Sequence, residues 1–192
     1  DITRLQVEGT GDGARVVAVE TSQGRIAADA FVVSLGTGSP ALVRALGLPL
    51  PVYPLKGYSI TVPVEDAAPP GRASHAAPRV SVTDAARKVV FARVGQRLRV
   101  AGMVELRGED RRIEPGRIAS LVATARDIFP QGGDYDQAEP WAGLRPATPR
   151  GEPVIGVSAR GPQNLVLNTG HGALGFTLAF GSALRVARLL RC

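Results

Sequence analysis

A largely apolar run, Ala30-Phe-Val-Val-Ser-Leu35, constrains the fold more than any other feature of the sequence, and it ends in Gly36-Thr-Gly38. Such a run is typical of a strand buried on both faces, and the glycines after it predict a tight turn. Ser39, Pro40 and the later Gly47 predict a short helix over Pro40–Leu46 that Ser39 caps. The segment therefore indicates a strand that leads through a glycine turn into a helix.

The other segments alternate between strand-like and helical patterns. The residues 65–78, which contain three prolines and His75, predict an exposed loop. Strands are predicted at Arg15–Glu20, Arg25–Asp29, Val52–Val64, in three runs within Arg79–Leu106, at Pro153–Val157 and at Asn164–Leu167, and helices at Glu114–Phe129 and Leu174–Leu190. We therefore expect an α+β fold with a mixed, largely antiparallel sheet and flanking helices.

Composition excludes several classes of function. No apolar run approaches the roughly 18 to 20 residues that span a bilayer, and Asp1–Arg4 does not begin a secretion signal, so we expect a cytoplasmic protein. The single cysteine, Cys192, and the lack of a Cys/His cluster predict that no metal is bound. The net charge of +6 comes from scattered arginines with few aromatic residues, so we expect no nucleic-acid partner.

Three glycine-rich segments are candidates for anion binding. Gly9–Gly13 is interpreted as a turn, because no helix with Lys-Ser/Thr follows it. Gly36–Gly38 suits a plain turn as well as it suits a site where free helix amides meet a phosphate or ribityl oxygen. Asn168–Gly172 joins a strand to an apolar helix, whose positive end suits the negative charge of a reduced flavin. A tightly packed turn explains the last segment equally well.

Arg145 stands between an apolar stretch and a proline in Trp141-Ala-Gly-Leu-Arg-Pro146. A partly buried arginine needs an anion, which is either a substrate carboxylate or an internal Asp or Glu. Residue type alone favours the internal ion pair. His75, His171 and Cys192 have no acid–base partner in the sequence pattern, so hydrolase chemistry has little support.

Four motifs give the chain a family resemblance. They are Tyr53-Pro-Leu-Lys-Gly-Tyr-Ser59, Trp141-Ala-Gly-Leu-Arg-Pro-Ala-Thr-Pro149, Pro153-Val-Ile-Gly156 and Asn168-Thr-Gly-His-Gly-Ala-Leu-Gly-Phe-Thr177. With these motifs in this order, residues 30 to the end resemble the glycine oxidase and D-amino acid oxidase superfamily, and within it most closely the small subunit of D-amino acid dehydrogenases.

The resemblance implies FAD as cofactor and a role for particular residues. It implies that Arg145 binds the substrate carboxylate and that Met103 faces the substrate. Residues 1–49 would be the tail of the FAD-binding domain, 50–140 the substrate domain, and 141–192 a return segment to the flavin. The implied flavin contacts are Gly36, Gly170, His171, Gly172, Ala173, Leu174, Gly175, Phe176 and Thr177.

The implied reaction oxidises a small D-amino acid to a 2-oxo acid and ammonia by hydride transfer from Cα to flavin N5. Electrons would then pass to a respiratory acceptor, which implies peripheral association with the inner face of the cell membrane. A glycine- or sarcosine-type oxidase that uses oxygen is the alternative enzyme. The family also begins with Gly-x-Gly-x-x-Gly, which residues 1–29 lack, so we expect a C-terminal portion that is inactive by itself.

Overall fold

The structure, a computed structural model, describes residues 1–64 and 76–190. The chain divides into two compact units: unit 1 comprises Asp1–Pro54 and Arg145–Cys192, and unit 2 comprises Leu55–Leu144. The predicted loop with His75 falls mostly on residues 65–75, which lie outside the described residues together with Cys192. Within the described ranges, no helix combines the length and the apolar character that crossing a bilayer requires.

Eleven strands and three helices make up the described part of the chain. The strands are β1 (Ile2–Glu8), β2 (Arg15–Thr21), β3 (Gly24–Ala27), β4 (Phe31–Val33), β5 (Tyr53–Pro63), β6 (Val82–Asp84), β7 (Val89–Val94), β8 (Arg97–Glu105), β9 (Glu139–Ala147), β10 (Val154–Val157) and β11 (Leu165–Thr169). The helices are α1 (Ser39–Arg44), α2 (Pro115–Ile128) and α3 (Ala179–Leu190). Most strand pairs are antiparallel, so the prediction of an α+β fold with a largely antiparallel sheet is confirmed.

Unit 1 contains two small sheets, β1-β2-β3 and β10-β11-β4, in which only the pair of β4 and β11 is parallel. The buried side chain of Asn164 joins them: its Oδ1 accepts from Val16 N at 2.9 Å, and its Nδ2 donates to the carbonyls of Val16 and Asp29. One amide side chain thereby satisfies backbone groups that no strand pairing reaches. The apolar core of the unit consists of Leu5, Val16, Val33, Val43, Leu48, Leu165 and Leu167.

Three sequence predictions for unit 1 were wrong in detail. The apolar run at residues 30–35 gives only a three-residue strand, in which Val33 is buried and Val32 is exposed. Ser39 does not cap α1 but is its first residue, and its buried hydroxyl accepts a hydrogen bond from Leu35 N. The last helix begins at Ala179 rather than at Leu174, because residues 172–174 form a single 3-10 turn and residues 175–178 a further turn.

Unit 2 is built on one sheet with the strand order β6-β7-β8-β5-β9. Helix α2 packs Leu121 and Ala125 into the core of this unit. The three-strand meander and α2 were predicted correctly. Strand β9 was not predicted, because Pro140, Gly143 and Pro146 are residues that usually argue against a strand. The core of this unit consists of Tyr58, Ile60, Val62, Ala77, Val89, Phe91, Leu98, Val100, Leu121, Ala125 and Tyr135.

A fully buried lysine ties the segment after β8 to β5. Lys56 Nζ donates to the carbonyl of Arg112, lies 3.9 Å from the Asp110 carboxylate and stands 5.1 Å from the centre of the Tyr58 ring. Hydrogen bonds from Arg112 hold the pKa of Asp110 far below its usual range, and Lys56 lowers it further. The buried ammonium therefore keeps an anionic partner at neutral pH, as a buried charge requires.

Candidate functional site

Three segments that are distant in sequence converge within unit 1: the turn at Gly36, the end of β9 and the turn after β11. Thr169 Oγ1 donates to the Gly36 carbonyl at 3.1 Å. Atoms of the Pro146 side chain lie 3.8 to 3.9 Å from the place that a β-carbon on Gly36 would occupy. Ala147 forms an antiparallel bridge with His171. The structure therefore brings together Gly36, the strand end that follows Arg145, and the turn around His171.

Hydrogen bonds from buried hydroxyl groups support the Gly36 turn. Ser39 Oγ lies 3.3 Å from Thr169 Oγ1, and both residues are almost completely inaccessible to solvent. Gly36 itself has a φ of 58°, a left-handed conformation that costs a residue with a β-carbon about 1 to 2 kcal/mol. Sequence reasoning missed Ser39 and Thr169 as supports, since a serine or threonine beside a glycine gives no signal of a long-range partner.

Gly170 and Gly172 flank His171 and differ in what surrounds them. Both have positive φ, of 81° and 56° respectively. A β-carbon on Gly170 would lie 2.6 Å from Thr148 Cγ2, whereas no atom of the described residues lies within 4 Å of a β-carbon placed on Gly172. Gly170 thus permits the close approach of two chain segments, while the backbone at Gly172 faces open space where a ligand atom can approach it.

The residues after Gly172 form an exposed turn rather than the start of a helix. Leu174 N donates to the His171 carbonyl at 3.0 Å, and the side chain of Phe176 is 96% exposed. His171 is half-buried, and its Nε2 lies 2.8 Å from Ser182 Oγ in α3. The sequence predicted free amide donors at the N-terminus of a long helix. In the structure, a glycine-rich 3-10 turn supplies the amide donors at this place instead.

Arg145 lies on β9, two residues before the bridge to His171, and is half-buried. This burial lowers the pKa of its guanidinium from the ordinary value. A guanidinium nevertheless stays protonated in proteins, so unit 1 carries a partly desolvated positive charge beside the converging turns. Partial desolvation strengthens the attraction between such a charge and a carboxylate.

Met103 belongs to unit 2 and has an unusual backbone. Lys56 pairs with Glu105 and Tyr58 pairs with Gly102, so two residues of β8, Met103 and Val104, oppose the single residue between them on β5. Met103 adopts a φ of 65° at this bulge, and its half-buried side chain packs against the core of unit 2. Bulges with left-handed non-glycine residues are enriched near functional sites, and the contact of Met103 with substrate stays a prediction.

A family model described as DAO, FAD dependent oxidoreductase, matches residues 1–189. The chain belongs to this family. The family is FAD-dependent, and the match confirms both the predicted family and its cofactor.

Two relatives among curated proteins carry the name D-amino acid dehydrogenase. The chain is 49% identical over 179 residues to the protein from Paramagnetospirillum magneticum, covering 93% of this chain and 40% of that protein. It is 52% identical over 186 residues to D-amino acid dehydrogenase 2 from Pseudomonas aeruginosa, covering 97% of this chain and 41% of that protein. The chain thus spans about two-fifths of the length of these relatives.

Solved structures of the same fold include two glycine oxidases. The enzyme from Bacillus cereus matches with a TM-score of 0.79 at 22% identity, over 98% of this chain and 49% of that one. The enzyme from Geobacillus kaustophilus matches with a TM-score of 0.75 at 26% identity, over 98% of this chain and 47% of that one.

The residues of unit 1 fit part of an FAD site. Open space beside the left-handed Gly172 allows a flat ligand to approach main-chain groups of this turn closely. Asn168 Oδ1 is buried without a hydrogen-bond partner among the described residues, so this turn also has a polar atom that a ligand donor could satisfy. No group of three or more His, Cys, Asp or Glu side chains within residues 1–64 and 76–190 has the spacing to hold a metal ion.

Proposed function

We propose that this chain forms the substrate-binding and flavin-facing part of an FAD-dependent D-amino acid dehydrogenase. The observation that carries the proposal is the convergence of the Arg145 strand end with the glycine turns at positions 36 and 170–172. The identity of about half of the residues with proteins named D-amino acid dehydrogenase supports the choice of substrate class. Gly170 to Thr177 and Gly36 are proposed as the flavin contacts.

The part of Arg145 is to bind and orient the substrate. Its planar guanidinium donates two parallel hydrogen bonds to the carboxylate, which leaves the amino acid little freedom to rotate about Cα. Holding the Cα–H bond in one direction raises the rate because the reacting atoms meet in the required geometry. FAD, when bound, accepts the hydride that leaves Cα.

The turn at residues 170–172 supplies main-chain amides without a side-chain charge. Amides fixed in a left-handed turn stabilise negative charge that develops during the reaction, because they need no reorientation when it appears. The imine that leaves the site reacts with water to give the 2-oxo acid and ammonia. We further propose that the electrons pass to a respiratory acceptor and that the protein lies peripherally at the inner face of the membrane.

An oxidase of the glycine or sarcosine type is the second candidate, and the structural likeness to glycine oxidase favours it. Arg145 would bind the carboxylate in either case, but the oxidase would return electrons to oxygen. Turnover of D-alanine by the full-length protein with and without an artificial acceptor separates them. Hydrogen peroxide formed in proportion to the substrate oxidised rules out the dehydrogenase.

The carboxylate role is tested by Arg145→Ala in the full-length protein. Each hydrogen bond to a charged group contributes about 1.5 to 3 kcal/mol, so kcat/KM for D-alanine should fall about 100-fold or more while flavin absorbance is kept. Arg150→Ala is the matched control, because Arg150 is an exposed arginine of the same unit, and it should change kcat/KM less than about twofold. An unchanged kcat/KM for Arg145→Ala contradicts the proposal.

The possibility that the 192-residue chain is inert by itself has a simple readout. We expect the purified chain to be colourless and to show no turnover of D-alanine. A yellow preparation with flavin absorbance contradicts this expectation and shows that the chain retains its cofactor unaided.

A further inference from the structure

The side chain of His171 is held by one hydrogen bond within the described residues. Its Nε2 lies 2.8 Å from the hydroxyl of Ser182, which is only 6% exposed. Nδ1 has no hydrogen-bond partner within residues 1–64 and 76–190. Nδ1 is therefore the ring nitrogen that remains available for a bound ligand.

The main chain at His171 is constrained, but the glycines on either side do not restrict the orientation of the imidazole ring. The backbone of His171 forms the bridge to Ala147 and accepts from Leu174 N. The flanking residues, Gly170 and Gly172, have no side chains that could pack against the imidazole. The hydrogen bond to Ser182 is therefore a direct restraint on the orientation of the ring.

Ser182 is itself fixed by helix α3. Its backbone N–H donates to the Leu178 carbonyl at 2.9 Å in the first turn of the helix. Its buried hydroxyl has no hydrogen-bond partner other than His171 in the described part of the chain. If His171 Nε2–H donated to this hydroxyl, the buried hydroxyl hydrogen would lack an acceptor, which costs about 1 to 3 kcal/mol. The arrangement that satisfies the buried hydroxyl has it donating to Nε2, with the ring proton on Nδ1.

We propose that Ser182 is a positioning residue that holds His171 as the Nδ1–H tautomer, so that the imidazole donates a hydrogen bond to an acceptor atom of the bound flavin or substrate. The inference rests on the proposed function for the identity of the ligand. The choice of tautomer follows from the partner of the other ring nitrogen.

The tautomer is tested directly by ¹⁵N NMR of the full-length protein labelled at histidine, with His171→Gln identifying the signal. In the parent protein we expect the shift of Nε2 to be that of an unprotonated ring nitrogen. Ser182→Ala should move both ring nitrogens towards averaged shifts, and Ser182→Thr, which keeps the hydroxyl, should restore the parent pattern. Should Ser182→Ala fail to fold, Ser182→Cys replaces it, because a thiol of similar size is a weak donor.

Two results overturn the inference: a protonated Nε2 in the parent protein, or parent-like ring shifts in a folded Ser182→Ala variant. Neither depends on turnover, so failure of the proposed function is recognised separately, as a parent protein that does not oxidise D-alanine.

Where the parent is active, the pH profile gives a second readout. Loss of one hydrogen bond to a ligand should lower kcat/KM about three- to tenfold and shift the profile, with recovery to within twofold in Ser182→Thr. Ser120→Ala, on the exposed face of α2, is the control and should leave the profile unchanged. An unshifted profile with parent-like kcat/KM in Ser182→Ala also overturns the inference.

Discussion

Helices α2 and α3 use their apolar side chains in opposite ways. In unit 2, α2 buries Leu121 and Ala125 completely in the core of its own unit. In unit 1, α3 buries Ser182 and Val186, while Phe180 is 91% exposed. Large apolar side chains stabilise a protein when they leave water, so α2 is held by its packing, whereas α3 carries apolar surface that its unit does not cover.

The difference shows that the two units depend on different kinds of interaction. The core of unit 2 comes from alternating side chains of a sheet and one face of a helix. The candidate site in unit 1 depends instead on hydrogen bonds and on left-handed glycines at positions 36, 170 and 172. Substitutions that remove apolar volume and substitutions that alter backbone freedom should therefore affect the two units differently.

The largest effect is expected for Leu121→Ala in α2. Removing a fully buried leucine side chain costs about 2 to 5 kcal/mol, and hydrogen exchange of the amides in unit 2 should quicken accordingly. Leu184→Ala in α3 is the control, since Leu184 is 55% exposed, and it should cost less than about 0.5 kcal/mol. Equal losses in the two variants would remove the contrast between the helices.

Gly170→Ala should destabilise unit 1 by about 1 to 3 kcal/mol, because the new methyl group requires left-handed backbone strain and meets the Thr148 methyl group. Gly172→Ala introduces the backbone strain without a steric contact, so it should lower the free energy of unfolding by only about 1 kcal/mol. Thermal unfolding of both variants measures the difference. If Gly172→Ala is the more damaging substitution, close packing at Gly170 is not what the turn requires.

Tyr135→Phe should cost about 1 to 2 kcal/mol and change the alkaline limb of the stability profile. The buried hydroxyl donates to the carbonyls of Phe129 at 2.8 Å and Ala125 at 3.2 Å, which lie at the end of α2. Burial raises the pKa of Tyr135 to about 12. The folded state thus keeps a proton that the unfolded chain releases near pH 10, and this contribution is present below pH 10 and lost as the pH rises through 12.

Urea unfolding of the protein between pH 8 and 12 measures this contribution. The stability of the parent should fall more steeply with pH than that of Tyr135→Phe. Tyr53→Phe, at an exposed tyrosine, should keep the slope of the parent. Parallel profiles for the parent and Tyr135→Phe would assign the alkaline loss to other groups.

The smallest effect on stability is expected for Phe180→Ser on α3. Because this side chain is already exposed, the free energy of unfolding should change by less than about 0.5 kcal/mol. Binding of a hydrophobic dye should nevertheless fall, since exposed apolar surface is removed. A large loss of stability would show that Phe180 is packed in solution.

Local patterns predicted the parts of the fold that neighbouring residues determine. The hairpin of β2 and β3 and the apolar face of α2 follow from periodicity and turn residues, and both were found in place. Strand β1 was not predicted, because its apolar residues Ile2, Leu5 and Val7 do not alternate regularly with polar ones. The helix start at residue 174 was wrong because apolar spacing cannot distinguish a glycine-rich 3-10 turn from the first turn of an α-helix.

The candidate site could be predicted only in pieces. Arg145 and the turn around His171 were named through family motifs, but nothing in the sequence indicated that Ala147 pairs with His171. Ser182 carried no signal at all, since a serine in an apolar helix is common. Such partners are decided by tertiary packing, which brings together residues whose separation along the chain is large.

The pairing of β4 with β11 has a consequence for how the chain is made. The strand order places a neighbour of the Gly36 turn, Thr169, 133 residues later in the sequence, with all of unit 2 synthesised in between. Unit 2 is continuous in sequence and can fold while the ribosome is still adding residues. Strand β4 has no partner until β11 has been made, so its apolar residues stay unpaired during synthesis for longer than those of unit 2.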